Sequence, residues 1–138
     1  MMKPYQIQVF GKAGCEKCAI LNQRLDKLLD SDFGETFEKA YFDVETEVGV
    51  VAFASSECLN PQRIPALLLA RYDEDAKRYV PVANPRPGES DAVYKNTKLY
   101  QYLGLQTDYS GPGGGVLAPK MIMACLNEAL ALAPVVAG

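Results

Sequence analysis

At 138 residues the chain is long enough to bury a core of its own and short enough to be read as one domain spanning 1–138. A net charge of −3 with no basic block argues against a nucleic-acid partner, and no apolar run approaches the ~20 residues a membrane span needs. Histidine is absent, which removes His-assisted acid–base catalysis and any His-containing metal site.

The composition, 49% apolar and 22% charged, is ordinary for a globular protein. The opening Met1-Met2-Lys3-Pro4-Tyr5 has no apolar stretch of the secretory kind, so a cytoplasmic location is expected. Four cysteines are too few for a disulfide scaffold.

Residues 5–10 alternate, with Ile7 and Val9 on one face and Gln6 and Gln8 on the other, which predicts a first strand. A glycine-containing turn follows. Cys15-Glu16-Lys17-Cys18 then opens an amphipathic run in which Cys18, Leu21, Leu25 and Leu28 recur at helical spacing. Asp30 to Gly34 ends that helix. Residues 36–44 predict a second strand, with Phe37, Tyr41 and Phe42 as its bulk. A second helix is expected near 47–59, burying Val48, Val51, Ala52 and Ser55 and stopped by Asn60-Pro61.

Ile64-Pro65 precedes Ala66-Leu67-Leu68-Leu69-Ala70, a short and uniformly apolar run of the kind a buried strand has. A polar turn around Asp73-Glu74-Asp75 and a return strand over 78–82 complete a hairpin. The order strand-helix-strand-helix-strand-strand predicts an α/β chain with a mixed sheet, its first two strands parallel through a right-handed crossover. Residues 84–111 stand apart as an insert, a surface excursion carrying Tyr94, Tyr100, Tyr102 and Tyr109. A short helix near 91–100 is the expectation there, and a strand over 98–105 the alternative. After the glycine-rich turn at 111–115, Pro119 suits the first position of a last helix that buries Ile122, Cys125, Leu126 and Ala129.

The chemistry concentrates at Cys15 and Cys18. Cysteines at i and i+3 share one face of a helical turn, at a Cα separation that a disulfide tolerates. Free N–H groups and the positive end of the helix dipole favour a thiolate there, with a pKa on the order of 3.5–7.5 rather than about 8.5. The thiolate is the attacking species in disulfide exchange. Cys15, nearer the exposed helix end, is expected to be the nucleophile, and Cys18, one turn inside, the resolving thiol. Glu16 and Lys17 pull in opposite electrostatic directions and set no potential by themselves.

A strand, a C-x-x-C at a helix start, and a later Ile64-Pro65 step before an apolar strand together resemble the glutaredoxin/thioredoxin family, and Lys12, three residues before Cys15, is similar to a glutaredoxin detail. The resemblance covers roughly residues 5–83 and, more weakly, the last helix. It implies a thioredoxin fold with a four-stranded mixed sheet flanked by helices, here with the insert before the last helix. It implies a thiol–disulfide oxidoreductase acting on protein disulfides or dithiols, with no cofactor and with electrons from a separate donor. It also implies a cis Pro65 beside the dithiol, and Ile64 offering its backbone to an extended substrate. Lys12 either holds an anionic partner, steadies the Cys15 thiolate, or is a solvated turn lysine.

The chain also departs from the family. No aromatic residue lies between the two cysteines, and Val116-Leu117 follow the glycine run where a carboxylate is expected. Both departures weigh against glutathione. The thioredoxin pattern of Trp before the first cysteine and Gly-Pro between is missing too. Two other classes stay open. One is a C-x-x-C metal module, which would need Cys58 or a second subunit to complete four tetrahedral ligands. The other is a redox-inactive interaction domain using the insert. Cys58 otherwise reads as a helix-end thiol without a role, and Cys125 as core.

Overall fold

In the computed structural model the strand over Tyr5–Gly11 (β1) lies inside a mixed sheet, flanked by Phe37–Asp43 (β2) on one edge and Ala66–Asp73 (β3) on the other. The structure describes residues 3–46, 65–85, 99, 102–107 and 117–132. β1 and β2 run parallel, Tyr5 opposite Phe37 and Gly11 opposite Asp43. β3 is antiparallel to β1, Phe10 opposite Ala66. The strand Arg78–Pro81 (β4) returns antiparallel along the far half of β3. The polar turn between them is closed by the Asp73 carboxylate, which accepts from the Asp75 N–H at 2.9 Å.

The near half of β3 carries a different neighbour. Gly104–Gln106 (β5) pairs antiparallel with Ala66–Leu68. β4 and β5 therefore occupy the same edge of β3 in succession and meet at Leu69, which accepts from the Val82 N–H at 2.9 Å and donates to the Leu103 carbonyl at 2.9 Å. The four expected strands are present, but the sheet has five, and the fifth comes from within the expected insert. The sequence alternative of a strand over 98–105 is realised in part, three residues long and ending one residue later. Burial explains it: Leu99, Leu103 and Leu105 are all interior, which a surface excursion could not achieve. The expected helices near 47–59 and 91–100 fall mainly or wholly outside the described residues.

Two helices pack on one face of the sheet. The first, Glu16–Leu29 (α1), contributes Leu21 and Leu25. The second described helix, Pro119–Ala131 (α2), starts with Pro119 in its first turn and buries Ile122, Cys125, Leu126 and Ala129. They close over Tyr5, Ile7, Val9, Phe37, Leu67 and Leu69. Fully burying one such side chain contributes about 1.5–3 kcal/mol. On the opposite face Phe10, Ala66, Leu68 and Leu99 form a second cluster, with Phe42 stacked on Phe10 at 5.5 Å between ring centres. β3 is thus apolar on both faces, which is why its sequence shows no alternation. Among the described residues no helix is long and apolar enough to cross a membrane.

Candidate functional site

β1 ends at Gly11, and the chain must reverse direction to lay α1 back along the sheet. Gly14 makes this turn in the left-handed region, at φ +77°, where a side chain would be strained. Cys15 follows in extended backbone and is the N-cap of α1. Its Sγ accepts from the Cys18 N–H at 3.2 Å, the bond that a Ser or Asp oxygen makes at most helix starts. One of the four orphan donors of the helix end is thus spent on the sulfur itself, and a thiolate accepts such a bond better than a thiol.

The two sulfurs sit at disulfide distance, with Cα atoms 5.2 Å apart, inside the range a bridge requires. The pair is asymmetric. Cys15 is half-buried at the helix end, while Cys18, one turn in, is 2% exposed. An incoming sulfur meets Cys15 first.

Lys12 lies exposed on the same turn, and Pro65 is buried at the start of β3, beside the level at which β1 ends. The structure thus brings Lys12, Cys15, Cys18 and Pro65 to one end of the sheet. Ile64, and with it the isomer of its bond to Pro65, lies outside the described residues, as does Cys58. Cys125 is where the sequence put it, buried in the core. Among the described residues no group of three or more Cys, Asp or Glu side chains could hold a metal ion.

Two contributors to this end of the sheet escaped the sequence reading. Thr107 is fully buried, and both its N–H (3.2 Å) and its hydroxyl (2.6 Å) donate to the Pro65 carbonyl. A residue of the expected insert therefore fastens the Pro65 corner. No local signal announces this, because Thr107 and Pro65 are brought together only by the β3–β5 pairing.

The other is Tyr41. Gly11 leaves a space that a Cβ would fill at 2.8 Å from the Tyr41 hydroxyl and 3.0 Å from Cys18 Sγ. Phenol and sulfur thus look onto the same small gap. Burial first, and the charge of Asp43 second, raise the Tyr41 pKa, so the phenol stays protonated. The signal for Tyr41 was present as a parallel register: two strands of matched phase set Tyr41 opposite Val9, just short of the turn.

Fold and site together define an α/β chain carrying a Cys-x-x-Cys pair at the start of the first helix, at the end of a mixed sheet. No protein-family model matches the chain, and no curated protein matches it.

Proposed function

We propose that the chain is a thiol–disulfide oxidoreductase of thioredoxin fold, similar to glutaredoxins, exchanging its Cys15–Cys18 pair with disulfides of protein substrates in a reducing, cytoplasmic setting. The observation that carries this reading is the asymmetric pair: Cys15 caps the helix through its sulfur, and Cys18 sits buried behind it at disulfide distance. Helices α1 and α2 on one face of a mixed sheet, with Pro65 at the dithiol end, support the fold assignment.

In the reducing direction the Cys15 thiolate attacks one sulfur of a substrate disulfide. A Cys15–substrate disulfide forms, the substrate S–S bond breaks, and the departing thiolate takes a proton from water. Cys18, as thiolate, then attacks Cys15 Sγ. The mixed disulfide breaks, the second substrate thiolate leaves, and two electrons have passed from the dithiol to the substrate. A separate dithiol reductase or a small thiol restores the pair. The Pro65 segment would present the substrate backbone, and Lys12 would attract anionic groups near the sulfur.

The test is trapping. Reduced Cys18→Ser protein should attack a protein disulfide and stall as a mixed adduct on Cys15, identified by mass spectrometry. Cys15→Ser protein should form no such adduct, and the wild type should turn over insulin disulfides with a dithiol donor. Alkylation of Cys18 before Cys15 in the reduced wild type would reverse the assigned roles. Stoichiometric zinc or iron that is lost in Cys15→Ser protein would replace this reading with the metal module.

A further inference from the structure

Opening the Cys15–Cys18 bond creates a problem that the pair itself does not solve. When an outside thiolate, the reductant, bonds to Cys15 Sγ, the S–S electron pair moves onto Cys18 Sγ. The negative charge appears on a sulfur that is 2% exposed. A buried thiolate without a partner is disfavoured by desolvation. Its backbone N–H cannot help, because it already donates to Cys15 Sγ.

Resting on the exchange reading above, we propose that the Tyr41 hydroxyl is the hydrogen-bond donor to the Cys18 thiolate. The phenol oxygen lies 2.8 Å and Cys18 Sγ 3.0 Å from the point a Gly11 Cβ would occupy, so both border the space that the glycine leaves open. The placement of β2 beside α1 brings the two groups to the same end of the site. Cys18, Asn22 and Asp26 stack on one helix face at i, i+4 spacing. Asp26 is tied to Lys39 of β2 at 2.6 Å. Tyr41, two residues further along β2, falls on the same face of the strand and one step nearer the helix start. Because Tyr41 is held in its neutral form, it acts as a donor and not as a base.

The same bond serves both directions. It stabilises Cys18 as leaving group when the disulfide is reduced, and it raises the thiolate fraction of Cys18 when that thiol must resolve a mixed disulfide. The flanking elements carry the charged groups Lys12, Glu16 and Lys17 around the turn, Arg24, Lys27 and the Asp26–Lys39 pair further along, and Glu38 and Asp43 on β2. Tyr41→Phe changes none of them and keeps the ring, so it isolates the hydroxyl.

The experiment titrates Cys18 without any substrate. In Cys15→Ser protein, iodoacetamide alkylation of Cys18 is followed against pH by mass spectrometry, with and without Tyr41→Phe. The midpoint should rise by about one pH unit, making alkylation about tenfold slower at a fixed pH below both midpoints. Tyr79→Phe, a phenol bonded instead to the Lys3 carbonyl at 2.6 Å, should leave the midpoint unchanged. An unchanged midpoint in Tyr41→Phe protein with the melting behaviour of its parent overturns the proposal, as does an equal shift with Tyr79→Phe. If the wild-type pair exchanges with no disulfide, the oxidoreductase reading fails while the Cys18 midpoint still reports on Tyr41 independently.

Discussion

Adding one methyl group at Gly11 probes the space on which the site depends. The Cβ of Gly11→Ala would lie 2.8 Å from the Tyr41 hydroxyl, 3.0 Å from Cys18 Sγ and 3.2 Å from Cys18 Cβ. Comfortable non-bonded contacts are about 3.5–4.0 Å, so all three must lengthen. Gly11 is not in the left-handed region, so alanine meets no backbone penalty there and the cost is steric. Cys18 is fixed by the helix start and the sheet and yields little. The Tyr41 hydroxyl ends a side chain that is 40% exposed and can swing outward. We expect a loss of about 1–3 kcal/mol, the usual range for overpacking one methyl group. Removing the nearest obstacle should recover part of it, so Gly11→Ala should cost about 0.5–1 kcal/mol less in a Tyr41→Phe background, a coupling of the size seen between touching residues. Urea unfolding of the oxidised wild type, both single variants and the double variant measures this, with an unchanged slope showing that only stability moved. Strict additivity of the two substitutions would refute the claim that phenol and glycine bound one space.

Other outcomes follow from single contacts. Thr107→Val keeps the shape but removes the hydroxyl donor at 2.6 Å from the Pro65 carbonyl; because the Thr107 N–H still serves that carbonyl, urea unfolding should show a loss near about 1 kcal/mol. Asp26→Asn breaks a 2.6 Å ion pair whose side chains are 22% and 62% exposed, so the loss should stay below about 1 kcal/mol and shrink further when unfolding is repeated in high salt. Tyr79 has its pKa pushed up from 10.0 to about 12, by burial first and then by Glu38. Folding thus favours the neutral phenol, and its contribution is whole below the unfolded value near 10 and lost as pH climbs toward 12. Melting points across that window should fall less steeply in Tyr79→Phe protein.

What the sequence disclosed is what short-range physics encodes. The alternation of Ile7 and Val9 against Gln6 and Gln8 put β1 in the right phase. The helical spacing of Cys18, Leu21 and Leu25 found the inner face of α1. Pro119 opened the last described helix, and its four inward residues were the ones expected. The unbroken apolar run over 66–70 marks a buried strand, and the structure covers it on both faces. The least legible stretch is the one that carries β5. The three residues of β5 are too few for periodicity to register. Their pairing with β3 is a long-range event, written in the exposed edge that β4 leaves free and not in the residues themselves. Tyr41 was visible only as strand bulk, because its meaning depends on a glycine thirty positions away across a parallel register.

The split edge of β3 also makes a seam. The side-chain amide of Asn84, buried beside Leu99, donates to the Leu99 carbonyl at 2.9 Å, and just inside it Ala83 bridges to Tyr102. The Leu103 N–H also donates to the Val82 carbonyl at 2.7 Å, so the chain leaving β4 and the chain entering β5 are clasped together. A cut between residues 85 and 99 would divide the chain into one piece bearing β1 to β4 and both cysteines of the pair, and another bearing β5 and α2. The second carries Thr107 and seven of the sixteen buried residues of the main cluster. Neither piece is complete without the other, which makes the clasp a natural point at which to split the protein and read reassembly through the dithiol.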